Sequence, residues 1–277
     1  MFVNGVTKLP SMSTLAEMRT TSTFQRRPIG SDRRGPAWWL AVAVCKPILV
    51  VLRRPDWRGV AGIPRLGGAV LAANHVSHLD PLLVAEMVLA EGRVPRFLAK
   101  DSLFSGPVVG RWFRAAGHVE VDRVAGRAGY DNAVSAARDG RLLLVYPEGS
   151  ITKRDDGLPM TMKSGAVRIA LEASVPLVPV AQWGAQKILP AYSGRLRWGL
   201  RRRVSIFVGS PIPLDDLRDL EPARAIEVGR RRLEDTLASM VCELRGADTA
   251  PSELGVHARK RGSLGRGESE PRTMAGP

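Results

Sequence analysis

A chain of 277 residues with 44% hydrophobic and 25% charged residues has the make-up of an ordinary globular protein and not that of a disordered one, with room for one large domain or two small ones. Its 41 Lys and Arg against 27 Asp and Glu give a net charge of +14, so its surface is expected to attract polyanions, nucleic acid and anionic lipid headgroups alike. The two cysteines, Cys45 and Cys242, belong to no Cys-x-x-Cys or Cys/His cluster, which argues against a disulfide framework or a zinc site.

The first 36 residues and those from Ser252 onward mix Ser, Thr, Arg, Gly and Pro without a sustained period, so residues 1–36 and 246–277 are expected to be disordered tails. These tails carry +4 and +1, which leaves +9 on the body. No basic region, apolar core and small-residue cleavage site follow one another at the start, and a cytoplasmic, reducing setting is expected. Next comes AWWLAVAVCKPILVVL, Ala37 to Leu52, apolar apart from Lys46 and shorter than the ~20 residues that comfortably span a bilayer. Arg33 and Arg34 precede it and Arg53, Arg54 and Arg58 follow it, so both ends are expected on one cytoplasmic face. Trp38, Trp39 and Trp57 suit headgroup level. Residues 37–58 are thus read as a membrane-associating segment, peripheral or monotopic, with a core-packing helix as the alternative.

Beyond this segment, short apolar runs alternate with helical patterns. Strands are predicted at Ala69–Ala73, Arg96–Ala99, His118–Val121, Leu142–Tyr146, Leu177–Ala181 and Val204–Val208. Helices are predicted at Pro81–Leu89, Pro107–Ala115, Gly126–Arg138, Lys163–Ala173 and Glu221–Leu244. This alternation predicts an α/β fold, a largely parallel or mixed central sheet flanked by helices, with residues 59–245 as the main domain. In such sheets ligands collect where strands end and loops turn into helices.

One of those junctions reads ANHVSHLDP. The strand delivers His75, and Asp80 follows five residues later, just before Pro81, as an expected helix N-cap. Folded back, the Asp80 carboxylate would orient the imidazole and leave its other nitrogen to accept a proton from a hydroxyl, a general base with its orienter. The alternative is structural: Asp80 caps the helix and His75 satisfies a buried carbonyl. Ser77 lacks the G-x-S-x-G elbow of a nucleophile and reads as a turn residue, and His78 as a packing or solvent-facing one.

Asn74 to Asp80, N-H-x-S-x-x-D, resembles the first signature of the glycerolipid acyltransferase family, which includes 1-acylglycerol-3-phosphate acyltransferases. GHVEVDR (Gly117 to Arg123), YPEGS (Tyr146 to Ser150) and VPLVPV (Val175 to Val180) resemble the next three signatures, in the right order. The resemblance implies an enzyme that forms a ternary complex and needs no covalent intermediate. A fatty acyl group would pass from acyl-CoA or acyl carrier protein to a lysophospholipid hydroxyl, with 1-acylglycerol 3-phosphate the leading acceptor and phosphatidate the product. Glycerol 3-phosphate, another lysophospholipid and a glycolipid stay open as acceptors. His75 would be the base and Asp80 its orienter. An acyl thioester is already activated, so aligning the hydroxyl, deprotonating it and stabilising an oxyanion would suffice.

Four further residues are candidates for substrate binding. Arg123 follows the strand HVEV, where a guanidinium could hold a phosphate, or could pair with Asp122. Lys100, immediately after the preceding strand RFLA, is a weaker candidate at an analogous strand end. Glu148 and Gly149 lie in the turn after LLLVY, where Glu148 could meet an acceptor hydroxyl, hold the adjacent loop or only organise the turn. The third signature commonly continues with Arg where Ile151 stands here, and Lys153 or Arg154 could take over its contact. MKSGAVRIALEASVPLVPV would pack a helix on a strand, and by resemblance help form the acyl or pantetheine site. No cofactor is expected.

Three other classes fit parts of the chain. A nucleic-acid-binding module would use the charge but lacks a recognised motif. A metal-dependent hydrolase could recruit His75, His78 and Asp80 but lacks a further ligand constellation. A noncatalytic membrane-surface protein would use Ala37 to Leu52, together with Arg195, Arg197, Arg201, Arg202 and Arg203 around Trp198, and would leave the ordered signatures unexplained.

Overall fold

The computed structural model describes residues 35–121, 127–197, 199 and 201–246. The two expected tails lie outside these residues, apart from Gly35, Pro36 and Gly246 at their inner ends, and so do Arg123 and Trp198.

The chain enters as helix α1 (Pro36–Leu52) and passes directly into strand β1 (Arg53–Arg58). There follow β2 (Ala69–Ala73), α2 (Asp80–Ala90), β3 (Pro95–Lys100), α3 (Val109–Ala115), β4 (Val119–Val121), α4 (Arg127–Arg138) and β5 (Leu142–Val145). The fold closes with α5 (Gly165–Ala173), β6 (Leu177–Trp183), β7 (Arg202–Val208) and α6 (Pro222–Arg245). One seven-stranded sheet has the order β1-β7-β6-β2-β5-β3-β4. Every neighbouring pair is parallel except β6 with β7. The mixed α/β sheet flanked by helices is therefore as predicted.

The sheet is buried on both faces, which is why its central strands read as unbroken apolar runs. Alternate residues feed two cores. Val70, Ala72, Leu143 and Leu177 face α4, α5 and α6, where Leu233, Leu237 and Ile169 pack. Ala69, Leu71, Leu144 and Val178 face α2, where Leu83, Val84, Met87 and Val88 pack together with Leu49 and Leu52 of α1. Because β2, β3, β4, β5 and β6 are parallel, the loops after them all emerge at one edge of the sheet.

Two expectations change at the amino end. The segment read as 37–58 stops being helical at Leu52, because residues 53–58 form β1, paired in register with β7 from Arg53↔Arg202 to Arg58↔Phe207. Alternation is hard to see in RRPDWR, since Arg53 is buried by an ion pair with Glu86 and not by being apolar. The three indoles also part company. Trp38 is 3% exposed, and its ring NH donates to the Ala116 carbonyl, whereas Trp39 is 58% exposed and Trp57 sits half-buried on β1 beneath the Arg53 guanidinium. Helix α1 thus packs one face on the body and turns Leu40, Val44, Ile48 and Val51 outward in a single stripe. Among the described residues no helix is long and apolar enough to cross a membrane.

Trp38 reaches a box of aromatic rings around His118. Phe97, Trp112 and Phe113 complete the box, with ring centroids 4.8–5.4 Å from the imidazole. His118 accepts a hydrogen bond from the Phe97 N–H, and burial pushes its pKa down to about 3, so the ring is neutral at ordinary pH. The His of GHVEVDR thus helps to join α1 to the sheet.

Candidate active site

Central strand β2 ends at Ala73, between β5 and β6, with Ala72 opposite Val145 and Ala73 opposite Val180. Asn74 continues the strand direction and is locked to Gln182 by three hydrogen bonds: Asn74 Nδ2 to the Gln182 carbonyl, the Gln182 N–H to Asn74 Oδ1, and Gln182 Nε2 to the Asn74 carbonyl. This lock fixes the residue before His75.

His75 and Asp80 meet. Nδ1 of His75 lies 2.8 Å from Asp80 Oδ2, and the same oxygen accepts the Val76 and Ser77 N–H groups at 2.6 and 2.7 Å. The carboxylate therefore turns backward onto the loop. The expected forward cap is absent: α2 starts at Asp80 itself, with Leu79 before it, and no side chain caps its first turn. Asp80 is fully buried, and burial pushes its carboxyl above the usual range while the imidazole and two backbone N–H groups pull it down. The imidazole is partly exposed, 15%, and stacks on Tyr146 with centroids 4.3 Å apart. Held by Asp80 at Nδ1 and by Tyr146 on one face, the ring can present Nε2 to a substrate.

The turn after β5 supports the same loop from the other side. Tyr146 to Gly149 form a β-turn closed by the Gly149 N–H on the Tyr146 carbonyl, and Gly149 takes a φ of 75° that a side chain would strain. Glu148 is buried. Its Oε1 accepts the His75 N–H at 2.8 Å and its Oε2 accepts the Met160 N–H at 2.9 Å. Of the three roles read from the sequence, these bonds give it the loop-holding one, joining the His75 backbone to the 152–163 loop. Thr152 adds a strap through its N–H to the His75 carbonyl. Burial raises the Glu148 carboxyl above its usual range, against the pull of those backbone donors.

Other candidates fall around this centre. Ser77 is buried, donates to the Leu189 carbonyl and accepts the Leu79 N–H, the turn role read from the sequence. His78 is exposed. Lys100 is exposed at the end of β3, with β5 between it and β2. Arg123, beyond β4, lies outside the described residues. Ile151 is buried, at 4% exposure, and Arg154 is tied bidentately to Asp156 at 2.9 and 2.6 Å. Sequence reasoning missed Tyr146 and Gln182 as supports; the one signal was a glutamine at the end of the apolar strand LVPVAQW.

An apolar groove of about 390 Å³ runs between α1 and α2. Leu82, Ala85, Glu86, Leu89 and Ala90 line one side, a single helical face that starts within a turn of Asp80, and α1 lines the other through Trp38, Ala41, Cys45 and Leu49. The helix predicted from MKSGAVRIALEASVPLVPV, α5, is not among its lining residues.

Comparison with known proteins places this geometry in context. The family model described as Acyltransferase matches residues 54–183. The chain is 30% identical over 164 residues to a chloroplastic 1-acyl-sn-glycerol-3-phosphate acyltransferase of Brassica napus, covering 57% of this chain and 45% of that protein. It is 29% identical over 168 residues to the 1-acyl-sn-glycerol-3-phosphate acyltransferase of Streptococcus pneumoniae, covering 60% and 57%. The chain thus spans about half the length of these relatives. In fold it is similar to the crystal structure of the 1-acyl-sn-glycerophosphate acyltransferase PlsC from Thermotoga maritima, with a TM-score of 0.60 and 24% identity over 76% of this chain and 81% of that one.

Proposed function

Since residues 54–183 form a domain of the Acyltransferase family, we propose that the protein is an O-acyltransferase that moves a fatty acyl group from acyl-CoA or acyl carrier protein to the free hydroxyl of 1-acylglycerol 3-phosphate, giving phosphatidate. The observation that carries this reading is the 2.8 Å contact between a partly exposed His75 and a fully buried Asp80. Asp80 accepts the Nδ1 proton, so Nε2 is the basic nitrogen. It takes the acceptor's hydroxyl proton as the oxygen attacks the thioester carbonyl; the C–S bond then breaks, and the proton leaves with the thiol. The groove along α2 suits the acyl chain, because its largely apolar wall on that helix begins at Leu82, two residues after Asp80.

The test is a product assay of the purified protein with both donors against 1-acylglycerol 3-phosphate, glycerol 3-phosphate and neutral lysolipids. Phosphatidate is expected as the main ester product. Release of free thiol without a new ester in any reaction would retire the reading.

The same proposal places the protein on the cytoplasmic face of an anionic membrane, peripheral or monotopic. The outward stripe Leu40, Val44, Ile48 and Val51 would enter the interface, with exposed Arg54 and Arg203 on the paired strands β1 and β7 and exposed Arg201 just before β7 adding positive charge. Each basic residue near such a surface adds roughly 1 kcal/mol, which salt screens, whereas apolar burial persists. Deleting α1 would be a poor test, because Trp38, Leu49 and Leu52 belong to the core. Serine at the four outward positions leaves the core intact and is expected to abolish liposome flotation, while added salt only weakens it. Undiminished flotation of the folded serine variant would count against this helix as the anchor.

A further inference from the structure

We propose that Lys163 holds the phosphate of the acceptor, in place of the arginine that the resembled signature has at Ile151; this rests on the reading of 1-acylglycerol 3-phosphate as the acceptor. A phosphate monoester whose hydroxyl is brought to His75 comes near two buried carboxylates, Asp80 on the imidazole and Glu148 on the His75 N–H. Like charges at this range repel in a partly desolvated site, so a cation has to offset them. Position 151 cannot supply it, since Ile151 is aliphatic and buried. Arg154 is occupied, both guanidinium arms going to Asp156.

Lys163 stands where those two do not. Its N–H donates to the Pro147 carbonyl, which brings the residue alongside the Tyr146–Gly149 turn. Its side chain then crosses the open face of Gly149: a β-carbon added there would lie 3.0 Å from Nζ and 3.1 Å from Cε. Glycine at 149 thus serves both the turn and the approach of the ammonium. The neighbouring residue, Glu148, bonds the His75 N–H, so the ammonium sits over the turn that supports the base. Lys163 is exposed, and among the described residues its ammonium makes no hydrogen bond or ion pair, which leaves three donors for phosphate oxygens. Met162 just before it is fixed by its N–H on Glu234, so the lysine springs from a tethered backbone.

The experiment is steady-state kinetics of the full chain and of Lys163→Ala, Lys163→Arg and Arg154→Ala, with inorganic phosphate as a competitor against the acceptor. Lys163→Ala is expected to raise the acceptor KM by about 10- to 100-fold, the range of a hydrogen bond to a charged group. It should leave the donor KM unchanged and weaken inhibition by phosphate by a similar factor. Lys163→Arg should recover most of the loss, because charge is retained. The assignment is overturned if Lys163→Ala leaves the acceptor KM within about twofold, if donor and acceptor KM rise together, or if the acceptor KM moves with Arg154→Ala instead. A wild-type enzyme that acylates neutral lysolipids as well as the phosphate-bearing acceptor, with no competition from phosphate, would retire the acceptor reading itself and this assignment with it.

Discussion

Replacing His75 by Ala is expected to lower turnover by about 10²–10⁴-fold while the protein stays folded. In the proposed mechanism the loss follows from removing the group that takes the hydroxyl proton; without it, the hydroxyl must attack while still protonated. Folding should survive, because the loop is held by bonds that do not use the imidazole. The His75 N–H goes to Glu148 and the His75 carbonyl receives the Thr152 N–H, both backbone groups that alanine retains. The ring is partly exposed, so its removal empties little of the core. Turnover in single-turnover and steady-state assays, read beside an unchanged thermal melt, is the check. A folded His75→Ala variant with near-normal turnover would sink the base mechanism.

Asp80→Asn should be the milder change, lowering kcat by about 10- to 100-fold, the worth of one hydrogen bond to a charged group. The new amide can offer its oxygen to the same three donors now served by Oδ2: the imidazole, Val76 and Ser77. What it cannot supply is the negative charge that stabilises the imidazolium formed when the proton arrives. Its NH2 would fall where Oδ1 now lies, a buried atom without a hydrogen-bond partner among the described residues, so some stability should be lost as well, about 1–3 kcal/mol. Wild-type kcat in this variant, or a loss exceeding that of His75→Ala, would contradict the orienting role.

Much of this site was legible because it is local. His75 and Asp80 are five residues apart in one strand-to-helix turn, and the apolar runs around them could only be buried strands. The turn chemistry of Pro147, Glu148 and Gly149 was equally visible. What escaped was set by distant pairing. Nothing near RRPDWR announces a strand, because its partner β7 lies about 150 residues on and its buried arginine finds its ion-pair partner in Glu86 on α2. The backward turn of the Asp80 carboxylate was missed for a related reason: Asp before Pro is a strong capping signal, and only the folded loop reveals that two N–H groups upstream claim the oxygen first. Trp38 was read by its residue type and sorted by its contacts, since an indole that finds both a carbonyl and an aromatic box is better buried than wet.

Leu52 ends α1 and Arg53 begins β1, with no residue between them, and the Arg53–Glu86 ion pair braces the junction against α2. Mechanically this is a welded joint where many peripheral proteins have a swivel. If α1 lies in the plane of a lipid surface, the tilt of the sheet is set by the same peptide bond, and so is the height of His75 above the acyl chains. On that reading, a few glycines inserted at the junction would leave both pieces intact and let the body tumble, separating attachment to a membrane from delivery of lipid to His75.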